Sequence, residues 1–474
     1  MREKAGSKTR RDFLKTTAAA TASLAACRAS SLWAASSAGV KGWTTSKDRK
    51  YAVIDAPQWR PAQAGSAPGI QVDSSSRYQK ILGFGAAFTD ASCYWFAKLN
   101  AKERQALLSE FFGSAGLRLS VCRTCMGASD YSLNSYSYDD STEPDPDLKK
   151  FTIEHDRAYI LPTLRSAREI NPELFLFSTP WSPPGWMKSG GSMLGGSMRK
   201  QYFATYADYF VRFLQGYSAE GVKINAVTIQ NEVDTDQNGR MPATLWGQEY
   251  EIEFVGKFLG PAFEKASLDT KIWILDHNYA LWGRVLDEFS DPLVSKYAEG
   301  VAWHAYYGTV DAMSRVHDAF PAKSAYWTEG GPDYTSPDYL TDWVKWSHTF
   351  SDALRNSARC LVGWNLVLDE KGSPNIGPFP CGGVVTVDSK THEITRSGQY
   401  WAFAHFSKSI QRGAQVLGSR GDMQGIDHVA FENPDGSHVL VVTNQGDGQV
   451  IACQVGDQAL SLNLDSDSVT TLVW

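Results

Sequence analysis

The chain runs to 474 residues, 43% of them hydrophobic, which exceeds what one hydrophobic core usually holds and implies one large domain plus a smaller one. A formal net charge of -6, with no long basic run in the body, excludes a nucleic-acid partner on electrostatic grounds. The 16 Trp, 20 Tyr and 22 Phe offer flat faces suited to the C–H surfaces of sugars, although core packing claims most of them.

Residues 1–34 read as an address. Thr9-Arg10-Arg11-Asp12-Phe13-Leu14-Lys15 is a twin-arginine pattern followed by a mild apolar run over 16–26, too short to span a bilayer. This predicts export by the twin-arginine route to the periplasm or the cell exterior. Leu24-Ala25-Ala26-Cys27 resembles a lipobox, so cleavage before Cys27, with lipidation and membrane anchoring there, competes with ordinary cleavage near Ala34. The other six cysteines lack the paired spacings of a zinc site or a disulfide scaffold. Cys122 and Cys125 lie three apart on a predicted strand, facing opposite sides, and read as packing residues.

Residues 35–77 read as a linker rich in Ala, Ser and Gly, followed from near Trp43 by short strands at 51–55 and 69–73. These have no helical neighbour and are expected to join a β-sandwich at the other end of the chain. Over 78–412 apolar runs alternate with amphipathic stretches. The runs fall at 81–88, 117–125, 174–181, 224–230, 272–276, 301–307, 325–329 and 361–368. Helical patterns follow at 101–112, 155–170, 201–219, 246–265, 281–299, 310–319, 340–357 and 397–409. Eight pairs predict the α/β class, a (β/α)8 TIM barrel. An open doubly wound sheet would carry a phosphate loop after its first strand, and Gly83-Phe84-Gly85 lacks the third glycine. Over 413–474 the pattern returns to alternating strands, predicting an appended all-β sandwich domain.

Barrel chemistry sits at the C-terminal ends of the strands. Strand four runs into Asn231-Glu232 and strand seven into Glu329-Gly330-Gly331, placing two carboxylates across the mouth from one another. A carboxylic acid that protonates a leaving oxygen, and a carboxylate ~5–5.5 Å away that attacks the anomeric carbon, cleave a glycosidic bond with retention. The acid needs a raised pKa and the nucleophile must be ionised, so opposite environments are expected. This chemistry requires no metal and no cofactor. The acidic stretch 138–147 lacks calcium-loop spacing and reads as a solvated loop, and the glycines at 190–191 and 195–196 suggest a mobile loop over the cleft.

Several motifs, in order, resemble glycoside hydrolase family 30, the family of acid β-glucosidase (glucosylceramidase). They are Gly83-Phe84-Gly85-Ala86-Ala87-Phe88-Thr89-Asp90, Trp181-Ser182-Pro183-Pro184-Gly185-Trp186-Met187-Lys188, Asn231-Glu232, Thr328-Glu329, Trp364-Asn365-Leu366 and His405-Phe406-Ser407-Lys408. The resemblance implies Glu232 as acid/base and Glu329 as nucleophile, with Arg123 supporting the nucleophile and Asn231 bonding the sugar 2-hydroxyl. It implies Asp90, Trp181, His304, Tyr306 and Trp364 as substrate-binding, with His304 orienting at most. Ala305 stands where the family has Trp, which bears on pocket width. The implied substrates are carbohydrates or glycolipids: β-glucosides or glucosylceramide-like compounds first, with β-1,6-glucan and β-xylosides as alternatives. A catalytically silent carbohydrate-binding protein and a metal-dependent barrel hydrolase are the competing classes. Both catalytic glutamates argue against the first, and a lone His304 at the strand ends against the second.

Overall fold

A computed structural model describes residues 39–62 and 69–474. The twin-arginine segment, Cys27 and most of the linker lie outside the described residues. Among the described residues no helix is long and apolar enough to cross a membrane.

Eight parallel strands close into a barrel in chain order: Gly83–Phe88, Val121–Cys125, Phe175–Thr179, Ala226–Thr228, Lys271–Asn278, Ala298–His304, Ser324–Glu329 and Ala358–Gly363. Each overlaps one apolar run. The eighth run divides, because Asn365 takes a left-handed turn (φ 49°) and sends Val367–Asp369 into a separate three-stranded sheet. The barrel's interior is filled by Val121, Phe177, Ala226, Trp273, Ala302, Tyr326, Cys360 and Val362. Trp273 lies flat on Tyr326, with ring centroids 3.9 Å apart. A barrel packed this way below leaves room for a cleft only at its mouth.

Helices cover the outside close to the predicted stretches, and Ala101–Phe112 opens with a capping box from Asn100 and Glu103. One helix, Asp90–Lys98, follows the first strand where none was expected. Six of its nine residues are buried, so it lacks the polar face that periodicity detects. The stretch 138–147 is also less solvated than expected: Tyr138 and Asp139 are buried beneath the loop after strand three, whose Trp186 donates its indole N–H to the Asp139 carbonyl at 3.1 Å. The six described cysteines are unpaired.

The remaining strands form a single sheet wrapped into a sandwich. Lys41–Thr45 pairs with Ser468–Val473, and Ile70–Lys80 lies between Gln415–Arg420 and Gln449–Val455. The barrel is thus inserted between the first and last strands of the sandwich. His405 of the quoted His-Phe-Ser-Lys motif is buried where the two units meet. Its two ring nitrogens contact Thr471 Oγ1 and Thr45 Oγ1, each at 2.8 Å, and burial lowers its pKa to about 3, so it bridges as a neutral ring.

Candidate active site

Arg123 is the centre of the site. It ends up inside the barrel with a side chain that is 0% exposed. Its Nη1 donates to Glu329 Oε2, Nη2 to Asn231 Oδ1 (2.8 Å) and Asp276 Oδ2 (2.7 Å), and Nε to Thr179 Oγ1 (3.1 Å). The guanidinium plane sits 4.6 Å from the Trp181 ring centroid and 5.5 Å from that of Trp364. A buried cation survives only with such pairing, and here the pairing fixes the nucleophile candidate, the amide and both cleft tryptophans together.

Asp276, at the end of strand five, was not singled out by sequence. Its buried carboxylate faces five groups: Arg123, Thr179 (3.0 Å), Thr228 (2.7 Å), Thr328 (2.8 Å) and the Nε2 of His304 (3.0 Å). Burial pushes its pKa up, but the Arg123 charge and bonds from His304 and Thr228 hold it well below the usual carboxylate range. Leu275 and Asp276 are both left-handed (φ 72° and 49°), and this irregularity turns the carboxylate inward. The Leu275 N–H is secured by the buried Glu251, which is in turn paired with Arg284.

Glu232 is also left-handed (φ 53°) and donates its N–H to the Asp276 carbonyl at 3.0 Å. Its carboxylate accepts from Gln237 Nε2 at 2.9 Å and lies 3.6 Å from His304 Nδ1 and 4.0 Å from His277 Nδ1. Glu329 accepts from the Tyr306 hydroxyl at 3.0 Å, and that hydroxyl accepts from the Gly331 N–H at 3.1 Å. One imidazole, His304, is therefore within 4 Å of both glutamates (3.6 and 3.8 Å).

The electrostatics of this pair run opposite to expectation. Burial pushes Glu232 up, but the hydrogen bond and charge of His304, with His277 and Gln237, bring it below its ordinary value. Burial raises Glu329, and the neighbouring Glu232 and Asp276 charges keep it raised against the pull of His304 and Arg123. Burial would lower His304, yet Glu329, Asp276 and Glu232 raise it to about 9, while burial takes His277 down to about 4. A charged His304 accounts for the lowered Glu232, while burial and the Glu232 and Asp276 charges account for the raised Glu329.

These groups open into a cleft of ≈540 Å³, lined by Asn231, Glu232, Tyr306, Glu329, Trp181 and Trp364 among others. Two substrate-binding expectations change. Asp90 does not line the cleft: its carboxylate is buried, accepting from the Leu133 N–H (2.8 Å) and the Tyr159 hydroxyl (2.6 Å) with His155 beside it, and it braces the loop after strand two. Asp130, seven residues beyond Arg123, lines the cleft instead, together with Asp333; one Asp130 oxygen is unpartnered, and burial with Glu329 and Glu232 pushes its pKa up. Its position in a loop beyond a strand end is the signal that could have found it. His304 does not line the cleft either: it is fully buried behind Glu232 and Glu329, and His277 lines the wall in its place, while Ala305 packs against the barrel's outer core.

The cleft wall is tied down by the motif lysine Lys188. Fully buried, it donates to Ser182 Oγ (3.0 Å), Met193 O (2.9 Å) and Ala243 O (2.7 Å), joining the loops after strands three and four, and burial lowers its pKa to about 7. Glu232, His277 and His304 lie close enough to share a metal ion, as do His348, Asp352 and Asp427 at the domain junction. In the second group Nδ1 of His348 faces Asp427 (2.7 Å) and Nε2 faces Asp352 (3.4 Å), an arrangement for ion pairs rather than one shared ion.

Residues 81–410 match the model of the glycosyl hydrolase family 30 TIM-barrel domain, and residues 413–472 that of the family 30 beta sandwich domain. The chain belongs to glycoside hydrolase family 30. It is therefore a glycosidase that hydrolyses O-glycosyl bonds in carbohydrate substrates. It is 34% identical over 395 residues to an endo-1,6-beta-D-glucanase of Neurospora crassa, covering 78% of this chain and 80% of the relative. It is 29% identical over 411 residues to the lysosomal acid glucosylceramidase of Mus musculus, covering 82% and 79%. A solved endo-beta1,6-glucanase superposes with a TM-score of 0.84 at 29% identity, covering 92% of this chain and 99% of that one.

Proposed function

We propose that this family 30 member is a retaining endo-β-1,6-glucanase, exported by the twin-arginine route. The observation that carries the mechanism is that Glu232 and Glu329 line one cleft and flank one buried imidazole, which brings together the acid/base and nucleophile carboxylates that a double displacement needs. The linkage follows the endo-1,6-glucanase relatives and neighbour, which displaces glucosylceramide-like compounds as the leading substrates.

In the first step Glu232 gives its proton to the glycosidic oxygen while Glu329 bonds to the anomeric carbon, and the aglycone leaves as an alcohol. A water then enters, Glu232 removes its proton, and the oxygen displaces Glu329. Arg123 and Tyr306 steady the nucleophile's two oxygens. Arg123 also occupies Asn231 Oδ1, leaving the amide nitrogen to donate to a sugar hydroxyl. The glucan, on filling the cleft, strips water from Glu232 and drives its pKa upward for the acid step. Formation of the ester neutralises Glu329, and the low intrinsic pKa of Glu232 then suits its role as base.

The test is digestion of soluble β-1,6-glucan beside glucosylceramide and aryl β-xylosides, with product anomers followed by NMR. Internal cleavage of the glucan with retained β products supports the reading. Cleavage of glucosylceramide alone would replace the substrate, and inverted products would replace the mechanism. A reporter fused behind residues 1–34 that stays in the cytoplasm would remove the export route.

A further inference from the structure

A second cavity, of ≈640 Å³, is larger than the active-site cleft and shares no residue with it: all its lining side chains belong to the sandwich. Three aromatic residues shape it. Tyr78 is 60% exposed, and Trp59 meets the C-terminal Trp474 edge-on, ring centroids 5.6 Å apart. Trp474 is itself backed by the parallel ring of His438 at 5.5 Å. Between them are hydrogen-bonding groups, amides and one guanidinium. Arg420 donates its Nε to Gln71 Oε1 at 2.7 Å, which orients Gln71 with its amide nitrogen unused. Among the described residues, that nitrogen, the terminal nitrogens of Arg420 and the side chain of Gln458 have no recorded hydrogen-bond partner.

This lining selects a ligand class. One arginine is offset by Asp73 and Asp457, so the cavity has no surplus positive charge for a phosphate or another polyanion. The amides and hydroxyls along its walls would be desolvated without return by an acyl chain. Aromatic side chains beside amide and guanidinium donors, with no surplus positive charge around them, match a neutral polyhydroxylated chain, whose ring faces stack while its hydroxyls both donate and accept.

We propose that this sandwich groove is a second carbohydrate site, binding a non-reacting stretch of neutral β-glucan. The choice of glucan rests on the endo-glucanase reading. A sandwich that holds the polymer keeps its chain near the barrel by raising effective concentration, without taking part in the chemistry.

Tyr78→Ala and Arg420→Ala, both outside the catalytic machinery, test the groove. Each is compared with wild type for retardation in native gels containing soluble β-1,6-glucan, for KM on that polymer, and for turnover of an aryl β-glucoside, with thermal melts to verify folding. The expected result is weaker retardation and a polymer KM raised about 3- to 10-fold, the size of one lost aromatic contact, with the small substrate unaffected. Retardation and polymer KM equal to wild type would overturn the groove even if β-1,6-glucan is cleaved. Conversely, retardation that Tyr78→Ala abolishes, in a protein that leaves β-1,6-glucan intact, would retain the groove and remove the proposed activity.

Discussion

The imidazole of His304 bridges Asp276 and Glu232, with Nε2 3.0 Å from Oδ1 of the first and Nδ1 3.6 Å from Oε1 of the second. Asp276 fixes which nitrogen carries a permanent proton, so the other reports directly to the acid/base candidate. Most of what can be tested in this site follows from that relay.

Native His304 holds its proton up to about pH 9, whereas the unfolded chain sheds it near 6.5. The native state therefore binds more protons across that window, and the stability contributed by His304, complete below 6.5, is lost as pH rises through 9. Thermal melts from pH 6 to 9.5 should fall more steeply for wild type than for His304→Asn. Parallel curves would show that His304 does not hold a proton in this range.

Glu329→Ala should lose nearly all turnover and regain part of it with azide, which attacks from the vacated face and yields a glycosyl azide of inverted configuration. NMR of the azide product distinguishes the outcomes. A retained product would remove Glu329 from the nucleophile's role.

Glu232→Gln removes the proposed proton donor and later base. Substrates with poor leaving groups should slow by about 10²- to 10⁴-fold, while aryl glycosides with activated leaving groups should lose far less in the step that releases the aglycone. Kinetics on the two substrate types decide it, since equal losses would leave Glu232 without the acid's role.

Asp276→Ala leaves the Arg123 guanidinium buried without its main partner. A loss of about 3–5 kcal/mol is expected for breaking such a pair, together with a lower kcat, because Arg123 also holds Glu329. Urea unfolding and initial rates measure the two effects, and an unchanged unfolding midpoint would mean that the threonines alone anchor this network.

Chelation gives a fifth check. The proposed proton transfer by Glu232 and attack by Glu329 require no ion, so prolonged dialysis against EDTA should leave the rate unchanged. Loss of activity restored by a divalent metal would assign the Glu232, His277 and His304 set to an ion instead.

Much of this was legible in the chain. Apolar runs reveal barrel strands because inward and outward faces are both buried, and Glu232 and Glu329 stand out because each directly follows such a run. Asp276 also ends a run, yet its five partners come from strands two to seven, and its inward turn depends on two consecutive left-handed residues that periodicity does not register. Asp130 and Asp90 show the same limit. Each is an aspartate near a strand end, and only the path of the loop after strand two decides which one faces the cleft. The helix Asp90–Lys98 escapes periodicity because six of its nine residues are buried.

The pairing of Lys41–Thr45 with Ser468–Val473 brings Thr44 against Val469, 425 positions along the chain. A ribosome must deliver almost the whole chain before this seam can close. Ring closure over so long a coil is entropically costly, but a barrel already folded brings its two ends to neighbouring positions and turns a distant encounter into a local one. The barrel therefore acts as a template for the sandwich, and cutting the chain between them should leave an N-terminal ribbon with no partner to register against.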